Sequence, residues 1–435
     1  YKLVPGGECE MLDRNQQTAN SMKFLTQQAL VLAMMATFSQ AADFRIWTSS
    51  KGTSIEAQLL KYRDGVVKLV TKDPKEISLK VTDVSLAARQ YLIEYPEAAG
   101  DVIFQGTPSI PELSYRKPKD FLTKLKERLT FDGNSVLSFD LYETKHFVFA
   151  VGKGVRVTGI AETAEACWHG MAFQHFEFRE NWGETRQLIV IPSESEQYAE
   201  LGKYQVALLE KTGRDKYAAK VKLTWDKVAA TGVTVPAESV EKLKLKEQAA
   251  VFNIKDAKRF RRKFDSFQTH VICGRLFGTQ VGGVSSVSGV GYFSLSTGHA
   301  YYKEIQLTKK TETNLISADY GGDVATKSGF EDGSAWPRLL KKLVKKGKVK
   351  PGLLKTLAIQ SPAAVTPENL VTMYSLSCYM QSTQKRIAAY AKLARLINTS
   401  DQIPDPTELV KIFGFDSIGD FEKDWIAFVV SKDFK

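Results

Sequence analysis

Residues 254–277 read IKDAKRFRRKFDSFQTHVICGRLF, and the chemistry of the whole chain turns on how this stretch is placed. Phe260, Phe264, Phe267 and Val271 recur at spacings of 4, 3 and 4, which is the period of one apolar stripe on a helix. The stretch is therefore expected to be helical throughout, with Phe267 packed into a core. Ser266, His270 and Cys273 project from a second face, about 100° around the helix axis. A glutamate at position 267 would need partners to be buried; a phenylalanine there can only pack.

The pattern on either side is mixed α and β. Upstream, DFLTKLKERL (120–129) reads as a lysine-rich helix, HFVFAVG (146–152) as a strand, and a helix is expected near 160–177. The apolar run Gln187–Ile191 is a strand closed by Pro192 and followed by the helix SESEQYAEL (193–201). Residues 217–250 give no clear period. Downstream, 338–350 is an amphipathic helix with six lysines in ten positions (341–350), and helices follow at 368–398 and 420–431. Thr366 caps the first of these, with Pro367 in its first turn.

Farther towards the N-terminus, residues 43–95 hold short alternating runs, FRIW, TSIEAQLLKY, VVKLVTK and ISLKV, broken by Ser-Lys-Gly, Arg-Asp-Gly and Asp-Pro turns. Four prolines at 96, 108, 111 and 118 then mark a linker over 96–118. Before the strands, Met22 opens MKFLTQQALVLAMMATFSQAADF, with Lys23, an apolar stretch from Ala29 to Phe38, and Ala41-Ala42. These are the parts of a secretory signal peptide over 22–42, with Asp43 as the first mature residue; 1–21 reads as an upstream extension. The apolar run is about ten residues, short of the ~20 that span a bilayer. An exported chain, periplasmic or extracellular, without an integral membrane segment is expected. Cys9 would be removed, and Cys167, Cys273 and Cys378 allow at most one disulfide, with Cys167–Cys378 as one pairing.

With 435 residues, 43% hydrophobic and 25% charged, the chain can fill two or three folded domains. The net charge of +11 favours anionic partners, such as nucleic acid, anionic lipid head groups or an acidic cell-wall polymer. No nucleic-acid-binding signature accompanies it, so nucleic acid is not expected as a partner.

Two resemblances organise these readings. Arg45-x-Trp47-Thr48-x-x-x-Gly52, Ile55-Glu56-Ala57, Asp64-Gly65 and the closing Leu86…Leu92 resemble the SLA1 homology domain 1 family, a compact SH3-like fold that in exported bacterial proteins follows the signal peptide. Tyr142…His146-Phe147, Leu188–Ile191…Tyr198 and Phe413-Gly414-Phe415…Phe421…Trp425 resemble the gluzincin peptidases of the thermolysin-like superfamily, over roughly 117–435. That resemblance implies a domain at 119–435 with a helical C-terminal half. In such enzymes H-E-x-x-H supplies two zinc ligands and a general base, and a distant glutamate is the third ligand. Here Ser266 and Phe267 stand at the first ligand and the base, His270 survives, and Thr297 of LSTGHA (295–300) stands at the third ligand. The implied protein is a pseudo-peptidase with a degenerate cleft of Ser266, Phe267, His270, Thr297 and His299. It has no catalytic residue and no cofactor, and binds peptide or envelope ligands. The alternative is a hydrolase on a shifted zinc site of His270, Cys273 and His299. His146, His169 and His175 read as structural, and Glu304 as unplaced five residues beyond His299.

Overall fold

The computed structural model describes residues 44–49, 51–63, 66–80, 83–85, 88, 91–92, 110–174, 185–253, 255–281, 290–313, 333–360, 365–400 and 402–435. The upstream extension 1–21, the signal peptide 22–42, Asp64-Gly65, Leu86, most of the linker, His175 and the glycine-rich stretch 282–289 lie outside the described residues.

The alternating N-terminal runs form strands β1 (Arg45–Thr48), β2 (Ser54–Arg63), β3 (Val66–Thr71) and β4 (Glu76–Lys80), paired antiparallel in the order β1-β2-β3-β4. Alternation buries Val67 and Leu69 beside Ala57 and Leu59, while Lys68 faces out. Trp47 is buried at the centre and its Nε1 donates to the Ala57 carbonyl at 3.0 Å. β1 and β4 are the outer strands of this sheet, and β1 is met at its end by the Ser49–Val84 bridge, where Ser85 N donates to the Thr48 carbonyl at 2.7 Å. The expected meander is present, but as an open sheet and not a closed barrel.

The larger sheet has six strands: β5 (Thr123–Thr130), β6 (Ser138–Glu143), β7 (Phe147–Val151), β8 (Gln187–Ile191), β9 (Ala230–Thr234) and β10 (Gln248–Phe252). Their order is β5-β6-β7-β8-β10-β9, with β7, β8 and β10 parallel and the outer strands antiparallel. Helix α1 (Thr158–Gln174) is the crossover between β7 and β8. Helices α2 (Ser195–Lys211) and α3 (Asp215–Thr224) connect β8 to β9, and α4 (Ala237–Leu243) joins β9 to β10.

Every residue of β7, FVFAV, is buried, as a central parallel strand covered on both faces requires. Phe147, Phe149 and Val151 share a core with Ile160, Ala164 and Cys167 of α1. Val148 and Ala150 turn the other way, to Tyr198, Leu201 and Trp225.

The C-terminal part is helical: α5 (Ser266–Gln280), α6 (Tyr292–Thr308), α7 (Trp336–Lys345), α8 (Leu353–Leu357), α9 (Pro367–Met380), α10 (Gln384–Ser400), α11 (Pro406–Ile412) and α12 (Ile418–Val430). Helix α9 is buried along its length from Leu370 to Met380. It meets α6 at Gly298 and α12 at Trp425, whose Nε1 donates to Ser375 Oγ at 3.1 Å.

Three expectations are corrected. Residues 120–129 are not a helix: Leu125 and Leu129, four apart, satisfy both periods, and the stretch pairs with β6 as an edge strand. Lys124 and Arg128 both reach Asp140 across that pairing, at 2.9 and 2.7 Å. The helix over 254–277 begins only at Ser266. Residues 257–261 are a 3₁₀ turn, Phe264 is left-handed at φ 51°, and the Asp265 side chain caps the new helix by accepting from Gln268 N. Phe260, Phe264, Phe267 and Val271 still share one core, reached by the turn and not by a continuous stripe. The helix over 368–398 breaks at Gln381, because Thr383 starts a second helix by accepting from the amide of Arg386. Thr366 caps α9 as expected, with Pro367 after it, and Asn369 completes a capping box.

A Cβ on Gly298 would lie 2.3 Å from the Met373 carbonyl oxygen, whereas one on Gly274 meets nothing nearer than 3.9 Å. Gly298→Ala is expected to destabilise the protein by about 1–3 kcal/mol through overpacking. Gly274→Ala is expected to stabilise it by about 0.5–1 kcal/mol by removing helix-interior backbone freedom. Urea denaturation midpoints of the two variants check the contrast.

Candidate functional site

One helical turn separates Ser266 from His270 on α5, so both side chains leave the same face. Opposite them on α6 lies Glu304, fully buried. Ser266 Oγ donates to Glu304 Oε1 at 2.6 Å, and His270 Nδ1 lies 3.0 Å from Oε2. The same carboxylate accepts from three groups of the segment that follows α6. Thr311 Oγ1 is 3.0 Å from Oε2, Glu312 N is 2.9 Å from Oε1, and Thr313 Oγ1 is 3.1 Å from Oε1. Tyr301 packs edge-on against the His270 ring at 4.6 Å and donates to the Thr313 carbonyl at 2.9 Å. Five donors around two oxygens leave this carboxylate fully engaged inside the protein. Glu304, which the spacing left unplaced, is thus the partner of Ser266 and His270.

The other residues singled out from the sequence go elsewhere. Phe267 packs edge-on to Phe252, with ring centroids 6.1 Å apart. Thr297 is buried on α6, and Gly298 beside it sets the approach of α9. His299 turns to α10 and the end of α9, its Nδ1 lying 3.3 Å from Tyr390 Oη and 3.5 Å from Gln381 Nε2. Burial, and then the Lys303 ammonium, hold this imidazole well below its ordinary pKa. Cys273 Sγ lies 3.6 Å from Cys167 Sγ, so the thiol brought close to Cys167 is Cys273 and not Cys378. Contact with Cys273 and burial push the Cys167 thiol well above the usual range. His270, Cys273 and His299 therefore face three different neighbours and make no common site.

A different trio converges. His146 stands just before β7, and Glu165 and His169 lie one turn apart on α1. One ligand atom from each falls within 4.8 Å of the others. His146 Nδ1 is 2.7 Å and His169 Nε2 is 3.6 Å from Glu165 Oε2, and the His146 amide donates to Oε1 at 2.9 Å. Trp168 stacks flat on the His146 ring at 3.4 Å, and Tyr115 stacks on His169 at 5.0 Å. Burial alone would raise the Glu165 carboxyl. The hydrogen bonds from His146 and Thr144 and the two nearby imidazoles outweigh it and bring the pKa down to about 2.

Glu165 and His169 form part of the wall of a cavity of about 440 Å³, whose lining also includes Tyr115, Arg116, Phe121, Glu143 and Arg186. Arg186 is held there by Glu143 at 2.6 Å. Reading His146 and His169 singly as structural residues missed this group. The Glu-x-x-x-His spacing of 165 and 169 was the available signal, but His146, in the turn before β7, meets them only because α1 folds back along β7.

Comparison with protein-family models, with curated proteins and with solved structures finds no match for the chain. No helix among the described residues is long and apolar enough to cross a membrane.

An imidazole whose pKa is depressed on folding binds less proton folded than unfolded. The stability it carries is complete above its ordinary value of 6.5 and is lost as pH falls below it. Unfolding free energy is expected to fall between about pH 7 and pH 5, with up to ~1.4 kcal/mol per pH unit carried by His299. Denaturant titrations of His299→Gln should show that portion of the slope flattened.

Proposed function

We propose that the chain is an exported, non-catalytic binding protein. On this reading an SH3-like module of the SLA1 homology domain 1 kind precedes a gluzincin-like domain whose catalytic centre has become a structural joint. The observation that carries the reading is the engagement of Glu304. Where a gluzincin needs two imidazoles, a glutamate base and a glutamate ligand around zinc, Ser266 and His270 are hydrogen-bonded to one buried carboxylate that accepts from five groups. Phe267, at the position of the base, offers no proton acceptor, so this position cannot activate water.

Binding is assigned instead to the cavity beside α1. Its wall combines the aromatics Tyr115 and Phe121 with the cations Arg116, Lys145 and Arg186 and the carboxylates Asp120, Glu143 and Glu165, a mixture that suits an extended peptide. The excess of eleven positive charges over the whole chain favours the acidic members of that class.

The test pairs a cleavage assay on labelled casein, with and without added zinc, with fluorescence anisotropy on short unstructured acidic peptides. Binding without cleavage is expected, weakened about tenfold or ~1.4 kcal/mol by Arg116→Glu. Zinc-dependent cleavage that disappears in His270→Ala would make the protein a peptidase. Preference for an acidic wall polymer over peptide would move the ligand to the cell envelope, and binding of neither would leave a structural role.

A further inference from the structure

We infer that His146, Glu165 and His169 form a binding site for a divalent first-row transition cation, zinc foremost, with one coordination position open to the cavity beside α1. The inference stands apart from the peptide-binding role, because metal content is read with no other ligand present.

The geometry carries it. Three donor atoms from two separate elements come within 4.8 Å of one another. A tetrahedral ion with bonds of about 2.0–2.2 Å to nitrogen and oxygen places its ligand atoms roughly 3.3 Å apart. The contacts to Glu165 Oε2, 2.7 Å from His146 and 3.6 Å from His169, bracket that separation. Small rotations of the side chains admit the ion in place of the His146–Glu165 hydrogen bond. Two imidazoles and one carboxylate are a donor set suited to zinc and its neighbours, and three protein ligands leave a fourth position for water or ligand.

The surroundings are those of a supported site. His146 is fixed by the Trp168 stack, with planes 7° apart, and His169 by the Tyr115 stack at 20°. The His146 amide holds the second oxygen of Glu165 at 2.9 Å. Such outer contacts set the direction of the ligating lone pairs. All three side chains are at most 14% exposed, yet Glu165 and His169 reach the cavity wall, so the ion has an entry path.

The test is zinc content by plasma mass spectrometry on the full chain purified without chelators, loaded with zinc and dialysed, alongside Glu165→Gln, His169→Gln and His270→Ala. Stoichiometric zinc is expected in the parent and in His270→Ala, with affinity lowered about a hundredfold or more in the other two. Cobalt substitution of the parent, read as an intense tetrahedral visible spectrum that chelator abolishes, keeps the test decisive if those two variants fail to fold. Zinc absent from the parent, or retained in folded Glu165→Gln and His169→Gln, would overturn the assignment. Zinc lost only in His270→Ala would transfer it to the α5–α6 joint.

Discussion

The Glu304 carboxylate is the constraint from which much of the C-terminal architecture follows. Removing a carboxylate from water costs several kcal/mol unless its lone pairs are met. Here they are met by Ser266 and His270 of α5 and by Thr311, Glu312 and Thr313 beyond the end of α6. One side chain therefore fixes the facing of two helices and the path of the segment after them. Tyr301 and Thr308 belong to the same assembly: the first carries the Thr313 carbonyl, and the second donates to the Lys310 carbonyl at 2.8 Å. A second buried charge reinforces the arrangement, since Lys303, one residue before Glu304, pairs with Glu112 and ties α6 to the 3₁₀ turn at Pro111–Ser114.

Two carboxylates with histidine partners thus sit on helices that both pack against α5, with opposite prospects. Glu304 has every acceptor position occupied by protein groups. Glu165 has two imidazoles on one side, and its site reaches the wall of a cavity. Engagement from within makes the first a joint; access from without makes the second a site. The proposed division of labour, structural at α5–α6 and ligand-binding beside α1, rests on that difference in access and not on residue type.

Much of the fold was legible in the sequence where a single signal dominated. The run Gln187–Ile191 is a strand with the expected ends, the four N-terminal runs pair in order, and Thr366-Pro367 opens α9. It was illegible where two periods coincided, as at Leu125 and Leu129, or where a local cap overrode a longer stripe, as at Asp265. The pairing of Ser266 with His270 on one helical face was readable from their spacing. The partner that gives those residues their role was not, because Glu304 reaches them from another helix 34 positions after His270. His146 likewise meets Glu165 and His169 only because α1 folds back along β7, which neither composition nor period records.

The central claim is that Glu304 is structural, and the sign of one free-energy change tests it. Equilibrium urea denaturation of Glu304→Gln keeps the shape of the side chain and removes its charge. Loss of charged acceptors from a fully engaged carboxylate predicts destabilisation by about 2 kcal/mol or more. Residues kept for chemistry hold their position at the expense of stability, and their replacement leaves a protein as stable or more so. A Glu304→Gln variant that unfolds at the same or higher urea concentration than the parent would contradict the account and return the α5–α6 pair to the status of an active centre.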